Sequence, residues 1–261
     1  VLRIGAAANL SPLGPALAKA FLEDHQALTR SEPVFSFASS GALLTQLRAG
    51  APWALFLSAD QERPEALIAE GLATGKARVY AISRLCLASR LPVASPLSLD
   101  YLVQDSCRTI AVAKPALAPF GVAAMETIAN EARTKIGFDT LVSGKIVWAN
   151  NIAQTASYLR SGAADAAFLP LSIIRSDPWY TSVAWILLEE ERHAPIAQAA
   201  VVIARAPTDE QVLARAFLVF LAEGRGKTIL EEYGYQVPGS VHKPENEGPD
   251  REEAGRRGDS P

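Results

Sequence analysis

The sequence is poor in the residues that metal and redox chemistry need. Two cysteines, Cys86 and Cys107, and three histidines are spread over 261 residues. No paired-cysteine metal spacing exists, so a zinc ribbon is excluded, and the sequence assigns no disulfide between Cys86 and Cys107. No run of about 18 apolar residues is free of charge, so no membrane-spanning helix is expected. Nor does one charge dominate: 25 basic against 28 acidic residues give a net charge of −3 and an isoelectric point near 5.7. That balance supplies no general attraction to nucleic acid or anionic lipid. The chain starts at Val1 rather than methionine, and no targeting signal can be read from it.

What is present is apolar material in a regular arrangement. Hydrophobic residues make up 49% and charged residues 20%, and the mean hydropathy is +0.11. A chain of this length buries roughly three quarters of its unfolded surface, in one domain or two half-size lobes. Val1 to Ala8 reads as a buried strand, followed by a helix start at Ser11-Pro12, a capping hydroxyl before proline. The unit recurs. Val34 to Phe37 is a strand, Ser39-Ser40-Gly41 a turn and cap, and Leu43 to Leu47 a helix. Leu55 to Leu57 is a strand, Ser58-Ala59-Asp60 a turn, and Pro64 to Ala69 a helix. Further strands are expected at Val79–Ala88, Thr109–Ala113, Lys145–Ala149, Ala164–Leu169 and Ala199–Ala204. Further helices are expected from Val122, Asn150, Thr208 and Lys227. Strands alternating with helices give an α/β fold with mostly parallel sheets.

The segment from His242 to Pro261 differs. It holds four basic and six acidic residues, and one alanine is its sole aliphatic side chain. Such a segment cannot offset the entropy of ordering, so residues 239–261 are expected to form a disordered charged tail. Its Arg257-Gly258-Asp259 tripeptide is read as chance.

The informative positions are the strand-to-helix turns, because ligands of open α/β sheets bind beyond the carboxyl ends of the strands. Four of them, Ala8-Asn9-Leu10-Ser11, Ser39-Ser40-Gly41, Ala118-Pro119-Phe120-Gly121 and Asn150-Asn151-Ile152, contain no Lys, Arg, Asp, Glu or His. A helix N-terminus offers unpaired N–H groups and about half a positive charge. Several aimed at one point bind an anion without a cationic side chain, and Ser and Asn add side-chain donors. A fully deprotonated oxyanion suits such a pocket, since it only accepts hydrogen bonds. Plain capping, worth about 1 kcal/mol per turn, is the competing explanation for each turn taken alone.

An enzyme is the rival reading from another class. An α/β-hydrolase needs Gly-x-Ser-x-Gly, and Ser40 lacks that context. His25 and His193 lie outside the candidate turns and His242 lies in the tail, so no catalytic triad is assembled. Asp60 reads as a cap of its turn. Gly226-Lys227-Thr228 mimics the end of a phosphate-binding loop, but Leu221 stands where that motif needs glycine. The sensor half of a transcription regulator is a third reading, separable by whether the gene carries a DNA-binding head or a signal peptide.

The same turns carry a family pattern. Ala6-Ala7-Ala8-Asn9-Leu10, Phe35 to Leu43, Gly50-Ala51-Pro52 and Leu55 to Gln61 resemble the periplasmic molybdate-binding proteins of ABC importers. So do Ala118 to Gly121, Asn150-Asn151-Ile152, Pro195-Ile196 with Ala199 to Val202, and Tyr233-Gly234-Tyr235. The resemblance runs from about Leu2 to Val237. It implies a two-lobed periplasmic-binding-protein fold of type 2, each lobe a mostly parallel sheet flanked by helices. Residues 1–81 and 196–238 would form lobe 1 and residues 82–195 lobe 2, with crossovers near Ala81 and Pro195. It further implies that molybdate, or tungstate, is held between the lobes and passed to a membrane permease by a periplasmic monomer, without cofactor, catalysis, nucleic acid or direct side-chain ligand to a cation. A sulfate- or phosphate-type receptor is the alternative within the same fold. Carried over by position, Asn9 and Ser40 donate from side chain or backbone, and Ala59, Phe120 and Ile152 donate backbone N–H groups, with Ala8, Ser39 and Asn151 beside them. The chain departs from the pattern at Ala8, where a hydroxyl is common, at Phe120, where Tyr is usual, and at Pro170, which has no N–H to offer.

Overall fold

The computed structural model describes residues 1–90 and 96–239. The elements run β1 (Arg3–Ala7), α1 (Gly14–Asp24), β2 (Val34–Ala38), α2 (Ser40–Arg48), β3 (Leu55–Leu57), α3 (Glu62–Ala69) and β4 (Ala73–Ser83). They continue with β5 (Leu85–Ser89), β6 (Ile110–Ala113), α4 (Pro119–Ala132), α5 (Phe138–Ser143), β7 (Ile146–Ala149), α6 (Ile152–Ser161), β8 (Ala166–Pro170), α7 (Leu171–Ser176) and β9 (Ala184–Leu187). Then come β10 (Ile196–Ile203), α8 (Thr208–Glu223) and α9 (Arg225–Glu232). The expected tail from Ser240, with His242 and the Arg257-Gly258-Asp259 tripeptide, lies outside the described residues.

Two five-stranded sheets result, ordered β2-β1-β3-β10-β4 and β7-β6-β8-β5-β9. In the first, β1 pairs parallel with β2 and β3, and β10 pairs antiparallel with β3 and β4. The second repeats the plan: β6 is parallel to β7 and β8, and β5 is antiparallel to β8 and β9. Each sheet carries its own buried core. Leu17, Phe21, Leu55, Leu213 and Phe217 pack in the first lobe. Leu87, Val112, Ile128, Leu159 and Phe168 pack in the second, which also draws in Ala7 and Ala59 from the first.

The apolar run Val79–Ala88, expected as one strand, is divided between the two sheets. β4 stays in the first sheet to Ser83 and β5 opens the second at Leu85, so the change of sheet falls at Arg84, a few residues beyond Ala81. Apolarity does not mark the break because both sheets bury their strands; the charge of Arg84 does. Its guanidinium pairs with Glu190 at 3.0 Å, on the returning crossover. Gln236 exchanges backbone hydrogen bonds with Ile82 and donates from its side chain to Glu190. The returning crossover is itself strapped to α4. Glu126 accepts from Ala194 N–H at 2.8 Å, Asn130 donates to Arg192 O at 2.9 Å, and Arg192 pairs with Glu131.

The first helix also differs from expectation. Ala8–Leu10 forms a 3-10 turn and α1 begins at Gly14, not at Ser11-Pro12. The buried Ala8, Asn9 and Leu10 fill the end of the sheet, and Ser11 N–H and Leu13 N–H bond back to Ala8 O and Leu10 O. Pro15 then takes the place in the first helical turn that proline tolerates.

Candidate functional site

Lobe 1 presents three turns at the carboxyl ends of β1, β2 and β3. Ser39 caps α2, its Oγ accepting from Ala42 N–H at 3.4 Å. Ser40 is therefore the first residue of the helix, and its N–H has no intrahelical acceptor. Its side chain is buried, and its Oγ accepts from Ala59 N–H at 3.0 Å. Ala59 N–H was expected to face a ligand; here it serves Ser40. An Oγ that already accepts an N–H keeps its own proton as a donor. Asp60 accepts from Ser58 Oγ and from Arg63 N–H and is ion-paired to the Arg63 side chain, so it caps its turn as expected.

Asn9 differs most from the sequence reading. Its side-chain Nδ2 donates to Gln198 Oε1 at 3.0 Å and to Tyr235 Oη at 2.8 Å. Both amide hydrogens are engaged within the protein, which leaves the backbone N–H as the donor not otherwise used. Tyr80 Oη also reaches Gln198 Oε1, at 2.8 Å, and Ser58 O at 3.2 Å. Gln198 thus ties the Asn9 turn to the Ser58 turn from behind. It is fully buried, and its Nε2 has no partner among the described residues. Burial pushes the Tyr235 phenol up to about 12 and holds Tyr80 well above the usual tyrosine range, so both stay neutral. None of Gln198, Tyr80 or Ser172 was singled out from sequence. The available signal was a lone glutamine inside the apolar run of β10.

Lobe 2 presents two helix starts. Ala118 is the N-cap of α4 and Pro119 its first residue, which leaves Phe120 N–H as the first available donor. Gly121 allows α4 to sit on the end of β6: a Cβ there would lie 2.0 Å from Ala113 O. Asn151 caps α6, its Oδ1 accepting from Gln154 N–H at 2.9 Å, and Ile152 N–H is the first of that helix. Phe120 and Ile152 are both buried. Pro170 closes β8 and is the N-cap of α7.

The lobes meet across these turns. Gly41 N–H donates to Leu117 O at 3.0 Å, and a Cβ on Gly41 would stand 3.1 Å from Leu117 Cα. Arg63 Nη2 donates to Ala116 O at 3.1 Å. Both α6 and α7 pack against the 8–10 turn, and Ala7, Ala59, Phe120 and Ile152 share one buried cluster. Asn9, Ser40, Ala59, Phe120 and Ile152 are thus brought together, with Ala8 buried beside them, while Ser39 and Asn151 act as caps. The two histidines among the described residues stand elsewhere. His25 stacks on Phe21 at 4.3 Å, and His193 bonds to Ala194 O. Cys86 and Cys107 are buried and not joined in a disulfide, and burial raises the Cys107 thiol to about 11. No helix among the described residues is long and apolar enough to cross a membrane.

Comparison with known proteins agrees with this architecture. A molybdate-binding protein ModA of Rhodobacter capsulatus is 31% identical over 205 residues, covering 77% of this chain and 76% of that one. The ModA protein of Azotobacter vinelandii is 27% identical over 235 residues, covering 90% and 89%. The solved Azotobacter vinelandii periplasmic molybdate-binding protein superposes with a TM-score of 0.78 at 27% identity, over 91% of this chain and all of that one. The family model of bacterial extracellular solute-binding proteins matches residues 2–236. This two-lobed chain, with a five-stranded sheet in each lobe, belongs to the bacterial extracellular solute-binding proteins.

Proposed function

We propose that the chain binds a tetrahedral oxyanion, molybdate or tungstate, between its lobes and delivers it in the periplasm to the permease of an ABC importer, acting as a monomer and without catalysis. The observation that carries this reading is the convergence of uncharged donors. Ser40 Oγ, which accepts from Ala59 N–H and keeps its own proton to donate, joins the helix-start N–H groups of Ser40, Phe120 and Ile152 and the N–H of Asn9. A dianion needs acceptor-free surroundings, and no carboxylate belongs to this set: Asp60 is engaged with Arg63 and Ser58. The named relatives are molybdate-binding proteins.

Closure places the second lobe's donors on an anion first held by lobe 1 and excludes water from it. Each hydrogen bond to a charged acceptor contributes about 1.5–3 kcal/mol. Desolvation of the dianion offsets most of the sum. Selection against sulfate then rests on cavity size, because sulfate has the same charge and shape.

Thermal unfolding in the presence of molybdate, tungstate, sulfate or phosphate tests the reading. A ligand at about a hundred times its Kd stabilises by about 2.7 kcal/mol, which raises Tm by roughly 5–10 °C at this size. A shift with molybdate and tungstate alone is the expected outcome. A shift with sulfate or phosphate instead keeps the fold and replaces the substrate; no shift with any, after removal of carried-over anion, overturns the reading.

A further inference from the structure

We propose that Ser172, Tyr235 and the main chain of Asn9 form an interlobe latch behind the anion site, which sets how long the lobes stay closed. This inference rests on the oxyanion reading above. Ser172 lies in the first turn of α7, on lobe 2, and its Oγ donates to Asn9 O at 3.2 Å. Tyr235, on the C-terminal part of lobe 1, brings its Oη to 3.0 Å from Asn9 O and 3.1 Å from Ser172 Oγ. Asn9 Nδ2 closes the circuit on Tyr235 Oη at 2.8 Å. All three residues are buried. The neighbouring backbone is fitted to the same contact. Gly234 has φ +83, and a Cβ there would lie 2.5 Å from Leu171 Cδ2 of lobe 2, so the turn before Tyr235 lies directly on α7. Gln198 Oε1 fixes the other side of the Asn9 amide.

The turn that offers its N–H to the anion therefore has its carbonyl held by a hydroxyl from the opposite lobe. Opening that carries α7 away from the 8–10 turn breaks Ser172 Oγ–Asn9 O; Tyr235, on the same lobe as Asn9, keeps the carbonyl partnered. Ser172→Ala removes the interlobe bond without leaving Asn9 O bare. Tyr235→Phe leaves Asn9 O with Ser172 and Asn9 Nδ2 with Gln198. The double variant strips the carbonyl of both donors, and a buried acceptor without a partner is costly. The two substitutions should therefore be strongly non-additive.

The experiment measures molybdate dissociation by stopped flow in the wild type, both single variants and the double variant. In parallel, spin labels at Leu28→Cys and Leu141→Cys, exposed sites on lobes 1 and 2, report lobe separation with and without molybdate. Dissociation about three- to tenfold faster is expected for Ser172→Ala, and about a hundredfold faster for the double variant. The association rate and the molybdate-to-tungstate affinity ratio should be unchanged, and the labels should show more of the wider separation. A merely structural role would lower ligand-free Tm and leave the dissociation rate alone. Wild-type dissociation rates in the double variant overturn the latch. A wild type indifferent to molybdate overturns the oxyanion reading instead; the latch is then judged on the ligand-free label distances, where identical distributions in wild type and double variant overturn it.

Discussion

The two lobes are built on one plan and furnish the site by different means. Lobe 1 fixes its turns with buried side chains: Ser40 to Ala59, Asn9 to Gln198, Gln198 to Tyr80, Tyr80 to Ser58. Lobe 2 fixes its turns by where its helices start, through Pro119 at the first helical position, Gly121 pressed on Ala113 O and the Asn151 side chain capping α6. Half of the site therefore depends on which side chains are present, and the other half depends on where two helices begin. Side-chain truncation should be felt in lobe 1, and backbone displacement in lobe 2.

The strongest test of that division is Gly121→Ala. The added Cβ meets backbone at 2.0 Å, so α4 must move. Denaturant unfolding should show a loss of roughly 3 kcal/mol, and calorimetry a loss of molybdate binding larger than any single side-chain truncation in lobe 1. Ser40→Ala comes next. Removing a hydroxyl donor to a charged acceptor should weaken affinity about ten- to a hundredfold in the same titration; wild-type affinity would remove Ser40 from the site. Asn9→Ala should weaken binding about tenfold, and also destabilise the anion-free protein by about 1–3 kcal/mol, because it strips partners from Gln198 and Tyr235. An affinity loss with unchanged anion-free stability would return the Asn9 side chain to direct contact.

A pH series sharpens the comparison further. Burial raises Tyr235 to about 12 in lobe 1 and Tyr180 to about 12 in lobe 2. Above about pH 10 the unfolded chain releases these protons before the folded one does, so stability is fully present below that pH and falls as pH rises through about 12. Chemical unfolding at pH 7 to 11 should be flat with respect to these groups up to about 9 and decline beyond 10. The smallest effect expected is that of Ile152→Val in lobe 2. It should cost about 0.5–1.5 kcal/mol of stability and leave affinity within about twofold, because only the N–H is used. A larger affinity change would show that lobe 2 also relies on side chains.

Much of the fold was legible because the turn signals are local. Ser39 and Asn151 cap the helices their sequences announce, and Gly162 ends α6 in the left-handed conformation. What was not legible is non-local. The change of sheet at Arg84 lies within continuous apolar sequence, and the Glu190 that pairs with Arg84 there is more than a hundred positions away. β9 and α7 carry no strong punctuation of their own and were not anticipated. At the site, spacing located the donors but not their mutual use: that Ala59 N–H is taken by Ser40, and the Asn9 amide by Gln198 and Tyr235, depends on residues from opposite ends of the chain.

One more feature bears on how the molecule behaves as a machine. α4 is 14 residues long, a rod of about 21 Å. Its first turn carries Phe120, one of the proposed donors, and its flank, through Glu126, Asn130 and Glu131, is bolted to the segment ending at Ala194. A rod fastened at both places transmits displacement in either direction. On the proposed reading, a shift of that segment would tilt the Phe120 N–H against the anion, and filling of the cleft would in turn be felt at Ala194.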